Sequence, residues 1–330
     1  MKRRELIVKL VCSTAWWPLA VRAQQSRKLL SPNLRLGLVD SSAVNAAHNA
    51  LIERLSELGF VDGANLSIDY DNSLFEQAFM DAAYADMVKR GVDILLASGS
   101  ERHLSSAVRA AAGRIPIVFL AMDYDPLRSG HVASLARPGG NVTGLFVRQP
   151  ELAVKRLEMA RHALPRARRV ALLWDGNIAK EQYEASSAAA ASLGFDLQSV
   201  EVGSVSYNLP DAVERTARAG VDAVVLASSF LYYESRAGVA QAALELRLPL
   251  IAFAREFVEV GALMSYGVSI PGTWRRAADY VARIARGTNP GDLPIEQPTL
   301  FELVVNGRTA SSLGLNLPPT LLGRADEVIE

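Results

Sequence analysis

Cysteine is nearly missing from this chain of 330 residues: one occurs, Cys12. It lies in a stretch that reads as a removable leader, and without it no disulfide, thiolate nucleophile or cysteine metal site remains. Histidine is scarce as well, at four residues (His48, His103, His131, His162) with no pair at metal-ligand spacing. His48 and His103 fall on predicted helices and His162 near a helix end, where exposed positions are expected. Phosphate-cradling and nucleophile motifs are missing too: there is no P-loop, no nucleophile elbow and no Gly-x-Gly-x-x-Gly after a strand. Neither catalysis nor a cofactor or metal is expected. Aromatics make up 7% of the chain, and net charge is zero. That balance hides an asymmetry, because residues 1–23 hold five cations and one anion. The remainder carries 30 positive and 34 negative residues, a net of −4. Such a surface offers no electrostatic reason to bind nucleic acid or anionic lipid.

What is present begins with an export pattern. Lys2-Arg3-Arg4 precedes a mostly apolar stretch from Leu6 to Ala20, and Val21-Arg22-Ala23 supplies small residues at −3 and −1. Cleavage after Ala23 and a periplasmic destination are expected, by a general or a twin-arginine route. The stretch is short and interrupted by Lys9, which argues against a membrane span.

Beyond residue 33 the chain alternates short apolar runs with helical patterns. Leu34–Val39, Leu66–Tyr70, the run from Gly91 to Ser100, Ile117–Leu120 and Val142–Phe146 read as strands. Ala46–Leu58, Phe75–Lys89 and about 101–112 read as helices between them. Runs too brief for helices and rich in branched residues are expected in a parallel sheet covered on both faces. The pattern then restarts. Leu58-Gly59-Phe60 recurs as Leu193-Gly194-Phe195, and Asp40 as Asp175, both 135 residues on. Gly91-Val92-Asp93 recurs as Gly220-Val221-Asp222 after 129 residues, and Arg114-Ile115-Pro116-Ile117 as Arg247-Leu248-Pro249-Leu250 after 133. Landmarks in one order at spacings of 129 to 135 residues indicate two similar α/β lobes, each a doubly wound Rossmann-like sheet. The expected division is a leader over 1–23, a first lobe of 34–145 plus 262–298, and a second of 146–261. Residues 299–330 cross back to close the fold. Repeated crossings make a hinge.

Ligands of open α/β sheets bind where strands end and helices begin. In the first lobe those corners present Ser41, Ser42, Ser98, Gly99, Ser100, Asp123, Tyr124 and Asp125. In the second they present Trp174, Asp175, Asn177, Ser228, Ser229, Phe230, Phe253 and Tyr266. Serines before a helix suit a carboxylate held by free N–H groups, and equally suit simple capping. The aspartates suit an ammonium group or turn formation. The aromatics suit a flat or apolar part of a solute, or core packing.

Longer runs carry a family resemblance. They include Arg3-Arg4-Glu5-Leu6-Ile7, Glu57-Leu58-Gly59-Phe60-Val61-Asp62-Gly63, Val132 through Gly144 (with Arg137-Pro138-Gly139-Gly140-Asn141), Phe301 through Asn306, and Ala325-Asp326-Glu327-Val328-Ile329. In these the chain resembles the substrate-binding proteins of ABC transporters, tryptophan/tyrosine type. The resemblance implies a periplasmic-binding-protein fold of type I character, closing on a small solute such as an aromatic amino acid. It further implies delivery to membrane permease subunits, by a protein expected to act as a monomer. Glu101-Arg102-His103 stands where many relatives carry small residues, which puts a charged cluster at the expected cleft edge. The other reading of the same bilobed plan is a ligand-sensing module of a signalling system.

Overall fold

The computed structural model describes residues 33–40, 46–71, 77–203 and 208–330; Ser41, Ser42 and the leader lie outside them. The first lobe runs β1 (Leu34–Val39), α1 (Ala46–Glu57), β2 (Leu66–Asp71), α2 (Gln77–Arg90), β3 (Ile94–Gly99), α3 (Glu101–Ala111), β4 (Ile117–Met122) and β5 (Val142–Val147). Its strands form one parallel sheet in the order β2-β1-β3-β4-β5. The apolar segment around Val132–Leu135 is loop.

The second lobe opens with α4 (Gln149–Ala163), β6 (Arg169–Asp175), α5 (Lys180–Ala190), β7 (Asp196–Val202), α6 (Leu209–Arg218) and β8 (Ala223–Leu226). It continues through α7 (Phe230–Glu234), α8 (Arg236–Glu245), β9 (Leu250–Ala252), α9 (Arg255–Glu259) and β10 (Met264–Val268). The chain then crosses to the first lobe as α10 (Ile270–Ala285) and returns as β11 (Phe301–Asn306), α11 (Gly307–Ser312), α12 (Pro319–Leu322) and β12 (Glu327–Ile329). These strands build a seven-stranded sheet, β12-β11-β10-β9-β8-β6-β7, in which β11 runs antiparallel to β10. One expectation is corrected here. Residues 262–268 were assigned to the first lobe, but β10 pairs with β9 and β11 and belongs to the second. A lone apolar strand pattern does not say which sheet edge it will extend.

Strand periodicity sorts the first lobe's core into two layers. Leu36, Ile94, Leu96, Val118 and Leu120 face α1 and α10, where they bury Trp274, Tyr280 and Ile284. Leu95, Ala97, Ile117 and Phe119 face the other way, toward α2 and α3. Successive side chains of a strand alternate faces, so Ser98 follows Ile94 and Leu96 toward α10. Gly99 follows Leu95 and Ala97 toward α3. A side chain at Gly99 would strike the His103 ring 2.6 Å away, at a φ of +136° that disfavours any L residue.

Candidate binding cleft

The lobes are joined by three crossings, between β5 and α4, between β10 and α10, and between α10 and β11. A narrow apolar niche lies at the first two. Val147 lines it from one crossing and Val268 and Ile270 from the other; Leu120, Met122 and Trp274 wall it from the first lobe and Phe230 from the second. Its free space is about 30 Å³, comparable to the share of one liquid water. Free space of this size does not hold an aromatic side chain as it stands.

Ser98 is the polar feature of this niche. It is 1% exposed, and its hydroxyl has no hydrogen-bond partner. The other hydroxyl on the lining, Thr273, donates to the Ser269 carbonyl at 2.8 Å. Behind Trp274 the floor is aromatic and polar, since the His48 ring packs 4.7 Å from Trp274 and lies 3.0 Å from an Asp40 oxygen.

Outward from the niche the cleft changes character. Met122 also lines a wider cavity of about 420 Å³ with Ser100, Glu101, Arg102, Asp123, Asn177 and Ile178, contributed by both lobes. Ser100 occupies the N-cap position of α3 without making a side-chain cap bond, and the first turn of a helix leaves N–H groups without intrahelical partners. Asp123 sits beside this turn at a φ of +56°, a region that aspartate tolerates better than most residues. Burial pushes its carboxyl up to about 6, against the hydrogen bond from Gln182. A second cavity of about 230 Å³ also borders Asp123, lined with Asp125, Arg128, Arg148 and Glu181.

Side-chain contacts bridge the lobes at the mouth. Arg128 pairs with Glu181 at 2.9 Å, both exposed. Deeper, the Gln182 amide donates to Asp123 at 3.2 Å and to the Ser228 carbonyl at 3.0 Å. Its oxygen accepts from the Ser228 N–H at 2.7 Å and from Arg156 at 3.3 Å. Arg156 is fully buried, and burial lowers its pKa to about 9 with the Asp123 charge opposing. Its Nε has no partner. Gln182 thus ties one lobe's aspartate to the other lobe's core. Gln182→Ala is expected to remove about 2 kcal/mol of stability, because Ser228 and Arg156 lose buried partners. The unliganded chain should also expand toward an open form in small-angle scattering; an unchanged scattering profile would refute the bridging role.

The strand-end rule therefore selected residues of several kinds. Ser98, Ser100, Asp123, Asn177 and Phe230 do converge on the niche and its mouth. Gly99 supplies the close approach to His103 rather than a contact to solute. Asp125 caps its own turn, accepting from the N–H groups of Leu127 and Arg128, although it borders the smaller cavity. Ser228 and Ser229, expected to share a carboxylate with the first lobe, already use their hydroxyls inside the second. Their hydroxyls donate to Gln149 at 2.7 Å and to buried Asp175 at 2.9 Å, and Asp175 also accepts from the Asn177 N–H.

Four aromatics pack within their own lobes, Tyr124 while also bordering the smaller cavity. Tyr124 is buried in its own lobe, bonded to Ser129 and His131. Trp174 stacks on Tyr183 at 4.8 Å and donates to Ser199. Phe253 packs edge-on against Phe257, and Tyr266 stacks on Phe301. His48 and His103, expected at the surface, are 2% and 4% exposed. Burial holds the His103 pKa down at about 4, leaving the ring neutral at pH 7. Glu101 and Arg102 do stand exposed at the mouth. Sequence reading missed Met122, Gln149, Gln182 and Trp274. Gln149 was within reach, since it begins a helix directly after a strand; Gln182 lies in the first turn of its helix and Trp274 one turn inside its own, and neither carries such a mark.

Two α/β lobes, three crossings and an amphipathic cleft between strand ends define a bilobed solute-binding protein. The chain belongs to the family of ABC transporter substrate binding proteins, whose model matches residues 36–329. Its members are binding proteins rather than enzymes. The tyrosine-binding protein of Clostridioides difficile (strain R20291) is 25% identical over 280 residues, spanning 84% of this chain and 79% of that one. A conserved domain protein of Vibrio cholerae is 26% identical with a TM-score of 0.78, covering 90% of this chain and 99% of the other. The fold is also that of an ABC domain from Streptococcus pneumonia solved with L-Trp, at 23% identity and a TM-score of 0.76, covering 90% and 100%. Among the described residues no helix is long and apolar enough to cross a membrane, and no group of acidic, histidine or cysteine side chains suits a metal ion.

Proposed function

We propose that this protein is the exported solute-binding component of an ABC uptake system, and that it binds an amino acid with an apolar body between its lobes. The observation carrying this reading is the polarity gradient along one cleft. Met122 belongs both to the apolar niche and to the charged mouth, so a single small molecule can touch both. Asp123 at the mouth suits an ammonium group. Ser100 and the first turn of α3 suit a carboxylate, and Phe230 and Trp274 suit the side chain. The relatives that bind tyrosine and tryptophan support the same class.

Closure follows from geometry. A solute seated at the crossings contacts both lobes and the hinge itself, so it stabilises the closed arrangement by its differential contacts. Release to permease subunits then requires reopening. The leader pattern and the family support removal of residues 1–23 and a periplasmic location, with the protein acting as a monomer.

Thermal-shift screening of the purified chain against L-amino acids and small carboxylates tests the reading. At a ligand concentration 100-fold above Kd, stabilisation of about 2.7 kcal/mol is expected, a rise in Tm of several degrees. No shift with any amino acid at millimolar concentration would count decisively against it.

A further inference from the structure

Resting on the amino-acid reading above, we infer that the niche selects a side chain ending in a neutral hydrogen-bonding group, and that Ser98 is the residue that reads it. Three observations converge on this. The Ser98 hydroxyl is buried and unpartnered, and strand parity aims it toward Trp274 and away from α3. Among the described residues the rest of the lining is aliphatic, thioether or aromatic, and its other hydroxyl, on Thr273, is already bonded. Among the described residues no ionisable side chain lines the niche, so a charged tip would lose its hydration without gaining a counter-charge.

A buried hydroxyl without a partner is costly, and a ligand atom that pairs with it removes the cost. A hydrocarbon side chain of the same shape leaves it in place. Sites that present an unpaired polar group reject the analogue lacking the matching group far better than apolar sites sort by size. The phenol hydroxyl and the indole N–H meet this requirement, and the phenyl ring does not. Phe230 from one lobe and Trp274 from the other line the niche and supply aromatic surface for such a ring.

Calorimetric titration of the purified chain with L-phenylalanine, L-tyrosine, L-tryptophan and L-lysine decides the matter. Wild type should bind tyrosine or tryptophan roughly tenfold or more tighter than phenylalanine, with lysine weakest. Ser98→Ala should bring that ratio to about one by weakening the polar-tipped ligand, leaving phenylalanine unchanged. Equal wild-type affinity for phenylalanine and both polar-tipped ligands overturns the inference while leaving the amino-acid reading intact. So does a ratio that survives in Ser98→Ala. Failure of every amino acid to bind wild type overturns the reading itself, and the inference with it. Should Ser98→Ala not fold, the wild-type ratio still tests the polar tip. Ser98→Cys, nearly equal in size and a weaker donor, then tests the residue by a reduced ratio; an unchanged one overturns its role.

Discussion

Gly267→Ala is expected to cost about 3 kcal/mol or more and to lower the Tm by roughly 6–12 °C. A methyl group at this position would lie 1.9 Å from the carbonyl oxygen of Phe253, a backbone atom held by the end of β9. Neither partner can turn aside as a flexible side chain would, so the sheet must shift. The position is sensitive for a second reason. Gly267 precedes Val268, which lines the niche, and β10 leads directly into the crossing to α10. Displacing the strand therefore disturbs the hinge as well as the core. Gly140→Ala serves as the control, since its φ is +65° but nothing lies within 4 Å of the added carbon. There only backbone strain is expected, about 1 kcal/mol. Thermal melts of the two variants separate the cases, and equal losses would show that steric contact at Gly267 is not the cause.

The second large effect concerns Asp123→Asn, which should weaken amino-acid binding roughly 100-fold by removing the counter-charge of a half-desolvated ammonium. The pH dependence gives an independent signature. In the unliganded chain burial holds this carboxyl at about 6 rather than its usual 3.8. Only the ionised form attracts an ammonium, so affinity should fall as pH drops through about 6. Stability of the unliganded chain moves the other way. A raised carboxyl contributes most below its unfolded value, and that contribution is lost as pH rises through about 6. Asp123→Asn should abolish both trends, giving a flat affinity profile between pH 5 and 7, as judged by calorimetry at several pH values. If the variant keeps the wild-type profile, another group holds the ammonium.

Much of this architecture was readable from residue pattern. Branched apolar runs gave the parallel strands, and repeated Leu-Gly-Phe and Gly-Val-Asp punctuation gave the two lobes. The strand-end rule gave Ser98, Ser100, Asp123, Asn177 and Phe230. It did not separate cleft from core for Trp174, Phe253 and Tyr266, because successive residues around a strand's end point to opposite faces and only the packed sheet says which face is cleft. It failed for Ser228 and Ser229 because their partners, Gln149 and Asp175, come from distant elements. Gln182 and Arg156 were invisible for a related reason. A polar residue on a helix reads as solvent-facing until the neighbour that buries it is known. Parity along β3 did separate Ser98 from Gly99, but its value depended on knowing that α10 covers that face.

That dependence on α10 has a temporal side. Synthesis delivers all five strands of the first sheet by Val147, yet the apolar layer of Leu36, Ile94, Leu96, Val118 and Leu120 then has only α1 to cover it. Its remaining cover arrives with Trp274 through Ala285, after β6 to β10 of the other lobe have been made. At ordinary translation rates the wait is on the order of ten seconds. The N-terminal half of the chain therefore leaves the ribosome unable to complete its own core. The element that locks the first lobe is thus among the last to be made.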